Sequence, residues 1–255
     1  MPEHHILSTI LHLLAGGALG LTSAGLAGHF GFRSADRLPG ESRKPHCFFC
    51  LRPFKWFEIF PLFGWLLRPE RFTLPCPCGR RTGLWPQPLV EIIGLLIGVT
   101  VAAVAGWSWA IVPLCLGLGL LPAMAMVDLS FGLIPDELNA ALALFGFSWL
   151  EARGGDFFVG LMTVALLLGF SLLLALAYSK WRGREMLGIG DVKFFAASGF
   201  WLPPALTPWF FVAAGLIGAV TGFFWKRAGG GKEFPFAPAL CLALAGCVIW
   251  QVIGQ

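Results

Sequence analysis

The chain has 255 residues, of which 57% are hydrophobic and only 13% charged, and its mean hydropathy is +0.77. Soluble domains carry about 25% charged residues, so this composition excludes a water-facing globule and indicates an integral membrane protein. The formal net charge of +4 comes from lysines and arginines grouped in loops, so it reports membrane orientation and gives no support to a nucleic-acid partner.

A membrane helix needs roughly 20 mostly apolar residues. The first such run, 6–32, has no basic leader segment and exceeds the roughly 7–15 apolar residues of a signal-peptide core, which predicts a retained span. Residues 33–87 follow as the sizeable polar segment. They hold Cys47 and Cys50 as CFFC, then Cys76 and Cys78 as CPCG. Zinc takes four thiolates in a tetrahedron, and two close pairs on separate turns supply them with little loop strain. A structural zinc site is the expectation, with free or redox-active thiols as the alternative. Two disulfides suit a cytoplasmic loop less well, because thiols stay reduced there. The second pair is C-x-C, and 25 residues separate the pairs.

Further spans are predicted near 88–106, 108–127, 157–178, 205–225 and 236–253, with shorter apolar stretches at 137–150 and 191–203. Together with the first, they make about eight crossings. If the N-terminus lies outside, the inward loops 33–87, 128–136, 179–193 and 226–235 hold 10, 0, 4 and 3 basic residues. That is 17 of the 18, with Arg153 the one exception. Lys and Arg concentrate in cytoplasmic loops, so this split sets the orientation and counts both short stretches as crossings. The expected fold is an all-α polytopic membrane helix bundle in three parts. These are a first span (1–32), a cytoplasmic cysteine-containing loop domain (33–87) and a helix bundle (88–255). Cys115, Cys241 and Cys247 fall inside spans and read as small packing residues.

Acids in or at the edge of a membrane span are costly and usually functional; here they are Glu91, Asp128, Asp136, Glu137 and Asp191. The topology puts Asp128 at the inner end of the third span and Asp191 at the inner start of the sixth. Two carboxylates 63 residues apart in sequence therefore fall at one depth on one face. Such a pair can hydrolyse an amide: one stays ionised and takes a proton from water, while the other stays protonated and polarises the carbonyl. Like charges about 4 Å apart at an effective dielectric near 20 repel by about 4 kcal/mol, enough to enforce that division. Asp191 follows Gly188-Ile189-Gly190 and opens a helix, so helix N–H groups favour its ionised form. Asp128 ends a helix, where the dipole opposes negative charge. The expectation is Asp191 as resting base and Asp128 as resting acid. The bland alternatives are an N-cap for Asp191 and a solvated helix end for Asp128. Asp136, after Ile134-Pro135, reads as a start signal for the next helix, and Lys193 and Arg184 as snorkelling side chains. Glu91, inside PLVEIIG, either pairs with a basic loop residue or holds a helix contact.

These residues resemble the type IV prepilin peptidase family, membrane enzymes of the GxGD aspartyl protease group. EMLGIGDVKFFAASGFWL is similar to the family's glycine-aspartate motif, with Asp191 matching the second catalytic aspartate, and MVDLSFGLIPDELN to the region of the first, which gives that role to Asp128. RLP, SRKPHCFFC, FPLFGWLL, CPCGRRTGLWPQPLVEIIG and a late PFAPAL follow the family's order. One departure is in the second cysteine pair, normally CxxC: here Pro75 stands where its first cysteine would lie. The resemblance implies cleavage of a short basic leader from type IV prepilins or pseudopilins at the cytoplasmic face of the bacterial inner membrane, in pilus assembly or type II secretion. It also implies N-methylation of the new terminus with S-adenosylmethionine, an activity associated with the cytoplasmic loop. No residue pattern identifies the methyl-donor site; Glu91 and the loop are candidates. Three other readings stand beside this one. A peptidase without methyltransferase activity is one. A transporter would need polar residues at mid-membrane along several spans, which are nearly absent. A non-catalytic zinc-dependent assembly factor would tolerate replacement of both aspartates.

Overall fold

A computed structural model describes residues 2–35, 86–106, 108–182, 187–229 and 234–254. Among these residues the chain is all helical, with eight α-helices and no strand. They are α1 (Pro2–Ala35), α2 (Pro86–Ala105), α3 (Ile111–Phe131), α4 (Asp136–Ala152), α5 (Phe157–Arg182), α6 (Ile189–Ala197), α7 (Thr207–Arg227) and α8 (Ala237–Ile253). Two short 3-10 turns, Ser198–Phe200 and Pro204–Leu206, join α6 to α7. Cys47, Cys50, Cys76 and Cys78, with nearly all of the expected loop domain, lie outside the described residues.

Among the described residues, four stretches are long and apolar enough to cross a membrane: Ile6–Gly28, Ile111–Phe131, Phe157–Lys180 and Pro204–Arg227. Leu89–Ala105 and Ala237–Ile253 are shorter apolar helices. α6 does not cross as a helix by itself. Its 9 residues rise only about 14 Å at 1.5 Å each, against a hydrocarbon core of about 30 Å.

α3 is the axis of the bundle, packing on α1, α2, α4 and α8, and 67% of its apolar window is buried. Its neighbours come close because small residues face each other. A Cβ at Gly16 of α1 would sit 2.6 Å from the Gly98 carbonyl oxygen of α2, and one at Gly20 would strike the Gly94 carbonyl. This backbone-to-backbone approach is available only to glycine and is a recurrent mode of membrane-helix packing. Ser23 of α1 donates to the Leu116 carbonyl of α3.

Trp201 ties the second half together. It is fully buried, and its indole N–H donates to the Leu142 carbonyl of α4 at 3.0 Å. The ring stacks on Trp149 with centroids 5.5 Å apart. It also lies against Gly117 of α3 and Gly146 of α4, where an added Cβ at Gly146 would be 2.5 Å from the indole nitrogen. Arg153, the one basic residue outside the expected inward loops, lies over the Trp149 ring at 4.3 Å. By contrast α5 and α7 are thinly covered, with 22% of each apolar window buried. They meet through Phe170 and Phe211, whose centroids are 4.6 Å apart.

Candidate active site

Asp128 lies in the last turn of α3, one turn before the helix stops. The stop is Gly132, at φ +69°, whose N–H donates to the Asp128 carbonyl at 2.7 Å. A left-handed residue after the last turn is the commonest helix C-cap, and glycine adopts it without steric cost. The sequence D-L-S-F-G thus ends the helix where its acid must face inward. Asp128 is only 5% exposed, so it is not a solvated helix end.

Its partner on the far side is unexpected. Asp128 Oδ2 accepts the backbone N–H of Ala237, the first residue of α8, at 2.9 Å. The first four N–H groups of a helix have no partner inside it and carry the positive end of the dipole. The stretch FPFAPAL therefore works by delivering a helix N-terminus to a carboxylate. Sequence reasoning noted the motif but missed this role; Pro238 in the first turn, a common helix-start residue, was the available signal.

Asp191 is the third residue of α6 and half-buried. Its Oδ2 accepts the Gly188 N–H at 3.2 Å, reaching back to the residue that caps the helix. The carboxylate is thus a first-turn acid in the capping-box position and not the N-cap itself. The dipole distinction between the two acids does not survive: both carboxylates accept an N–H from a helix N-terminus. Helix ends alone therefore do not separate the resting base from the resting acid. The structure does bring the pair within electrostatic reach of each other, with the buried Cys241 of α8 in reach of both. Cys115, Cys241 and Cys247 are free and buried, as expected of packing residues.

Two other side chains go elsewhere than expected. Lys193 does not reach for lipid headgroups, and Asp136, which opens α4 as the start signal predicts, turns its carboxylate to another element. Lys193 Nζ donates to both Oδ1 and Oδ2 of Asp136, each at 2.7 Å. Asn139 of α4, which sequence reasoning passed over, donates from Nδ2 to the Gly190 carbonyl at 3.3 Å. Glu91 is buried in α2 at 2% exposure, Glu137 is exposed in the first turn of α4, and Arg184 lies outside the described residues. Among the described residues, no group of three or more His, Cys, Asp or Glu side chains could hold a metal ion.

Among the described residues, an all-helical frame with four stretches able to cross a membrane defines the class of a polytopic membrane protein, with the two acids at its helix ends. The model of the Type IV leader peptidase family matches residues 115–223, a stretch that contains both acids. Curated relatives agree over more of the chain. The prepilin leader peptidase/N-methyltransferase of Aeromonas hydrophila is 30% identical over 210 residues, covering 80% of this chain and 70% of its own. That of Stutzerimonas stutzeri is 32% identical over 222 residues, covering 82% and 72%. That of Xanthomonas campestris pv. campestris is 30% identical over 210 residues, covering 77% and 68%. No solved structure matches. The chain belongs to the Type IV leader peptidase family.

Proposed function

We propose that the chain removes the leader from type IV prepilins or pseudopilins and N-methylates the new N-terminus with S-adenosylmethionine. Asp128 and Asp191 are the catalytic pair, at the cytoplasmic face of the bacterial inner membrane. The observation that carries this reading is that both carboxyls accept an N–H at a helix start, Asp128 buried under the N-terminus of α8 and Asp191 on the first turn of α6, in electrostatic reach of each other. The relatives that bear the prepilin leader peptidase/N-methyltransferase name give the substrate class.

The chemistry follows from the arrangement. One carboxylate takes a proton from water as the water oxygen attacks the scissile carbonyl carbon. The other, protonated, donates a hydrogen bond to the carbonyl oxygen, stabilising the charge that develops there. The proton then passes to the departing amine as the C–N bond breaks, and the pair returns to its shared-proton state. A prepilin's scissile bond adjoins its own apolar helix, so acids at the membrane edge reach the bond while that helix stays in lipid. With an external N-terminus and α1 to α5 crossing in turn, Asp128 and Asp191 fall on the cytoplasmic side together with the basic loops 33–87 and 179–193.

Zinc bound by Cys47, Cys50, Cys76 and Cys78 would fold the 33–87 loop. S-adenosylmethionine supplies the methyl group, with Glu91 and the loop as candidates for that half. The test is incubation of the purified chain with a prepilin, comparing wild type with Asp128→Asn and Asp191→Asn. Both variants are expected to leave the leader on. Complete leader removal by either would falsify the assignment. Mass spectrometry of the product with and without S-adenosylmethionine reads methylation separately, and an unmethylated product in both arms identifies a peptidase alone.

A further inference from the structure

The ion pair between Lys193 and Asp136 takes no part in the hydrolytic steps, but it lies between the two segments that carry the acids. Asp136 stands four residues beyond Gly132, where the helix of Asp128 ends, and Lys193 stands two residues beyond Asp191. Their groups meet across 57 residues of sequence, with Nζ at 2.7 Å from both carboxylate oxygens. Two further contacts join the same segments. The Asn139 amide holds the Gly190 carbonyl at 3.3 Å, and Gly190 lies flat on Ile134, where a Cβ would come 3.3 Å from the Ile134 backbone nitrogen.

The turn that presents Asp191 contains Gly188 and Gly190, residues that restrict backbone conformation least. Its position must therefore come from contacts outside the turn. We propose that Lys193 and Asp136 are positioning residues: their ion pair straps the Gly188–Asp191 turn to the start of α4 and so sets the separation and orientation of the two acids. This inference rests on Asp128 and Asp191 being the catalytic pair. The Lys193 and Asp136 side chains are 46% and 70% exposed, so their pairing adds little to global stability. Its effect is local. Misplacement of a reacting group by about 1 Å can cost about a hundredfold in rate.

The test measures kcat and KM for prepilin cleavage by the full chain in lipid vesicles, with thermal unfolding of the same preparations. Lys193→Met and Asp136→Asn are each expected to lower kcat by about ten- to a hundredfold, with KM and Tm close to wild type. Lys193→Arg should retain most of the rate. The exchange Asp136→Lys with Lys193→Asp should recover a large part of what either single change loses. Wild-type kcat in both single variants overturns the proposal. So does a rise in KM alone, or a loss of kcat matched by a fall in Tm that the exchange does not repair. Should Lys193→Met fail to fold, Asp136→Asn, near-isosteric at an exposed position, carries the same comparison. Asp128→Asn and Asp191→Asn run alongside. Cleavage surviving in them defeats the catalytic assignment, whereas wild-type kcat in both Lys193→Met and Asp136→Asn beside inactive aspartate variants defeats the strap alone.

Discussion

At the level of single residues, the site is made of helix ends that borrow partners from distant elements. Asp128 takes an N–H from α8, Asp191 one from its own cap, and Gly190 a donor from Asn139. Asn139 is buried at 5% exposure, and its Oδ1 has no hydrogen-bond partner among the described residues. Asn139→Leu removes a donor worth about 1 kcal/mol and at the same time an acceptor that is costly to leave unpaired. Stability measured by thermal unfolding is therefore expected to change little, while leader cleavage slows because the Gly190 carbonyl loses its tether. Equal losses of stability and rate would oppose this division. The two acids of the candidate site stand out in the sequence, since carboxylates are scarce in this chain and the expected orientation puts these two at one depth. Their partners do not. An N–H from Ala237 and a lysine bound to Asp136 are tertiary facts, and no local pattern around Lys193 distinguishes a strap from a snorkelling side chain.

At the level of elements, glycine decides how closely helices approach. Gly98 packs its backbone on that of Gly16, whereas Gly169 of α5 has no atom within 4 Å of an added Cβ. Gly98→Leu must push α1 and α2 apart and is expected to cost about 1–3 kcal/mol or more, read as a lower unfolding temperature in detergent. Gly169→Leu should be neutral in the same assay. Trp201→Ala removes a fully buried indole, its hydrogen bond to Leu142 and its stack on Trp149, a loss of about 3–5 kcal/mol by analogy with other core truncations. Because Trp201 closes the segment that begins with Asp191, cleavage should fall with stability in this variant, the opposite of the pattern expected at Asn139. Hydropathy found the apolar stretches, but it could not show that 191–203 is one short helix followed by a 3-10 turn. Apolar composition is the same for a crossing helix and for a segment buried among others.

At the level of the whole molecule, α1 to α3 form a tight cluster, while α5 and α7 present most of their apolar surface outward. Both acids and every described partner of theirs lie in α3, α4, α6, α8 and the adjoining turns. The cysteines lie apart from these in the sequence, so the two halves of the chemistry are expected to separate. Cys47→Ser with Cys78→Ser should lose bound zinc by metal analysis and methylate poorly, with leader cleavage retained; unchanged zinc content counts against the site. The contact between Asp128 and Ala237 has a further bearing, on time. The two residues are 109 positions apart, and at about 5–20 residues per second a ribosome takes roughly 5–20 s to pass from one to the other. Throughout that interval the nascent chain carries its first acid without the donor that completes it. A chain halted at Phe236 would contain both aspartates and, with Asp128 and Asp191 as the proposed pair, is expected to leave prepilin uncut until the last helix supplies that donor.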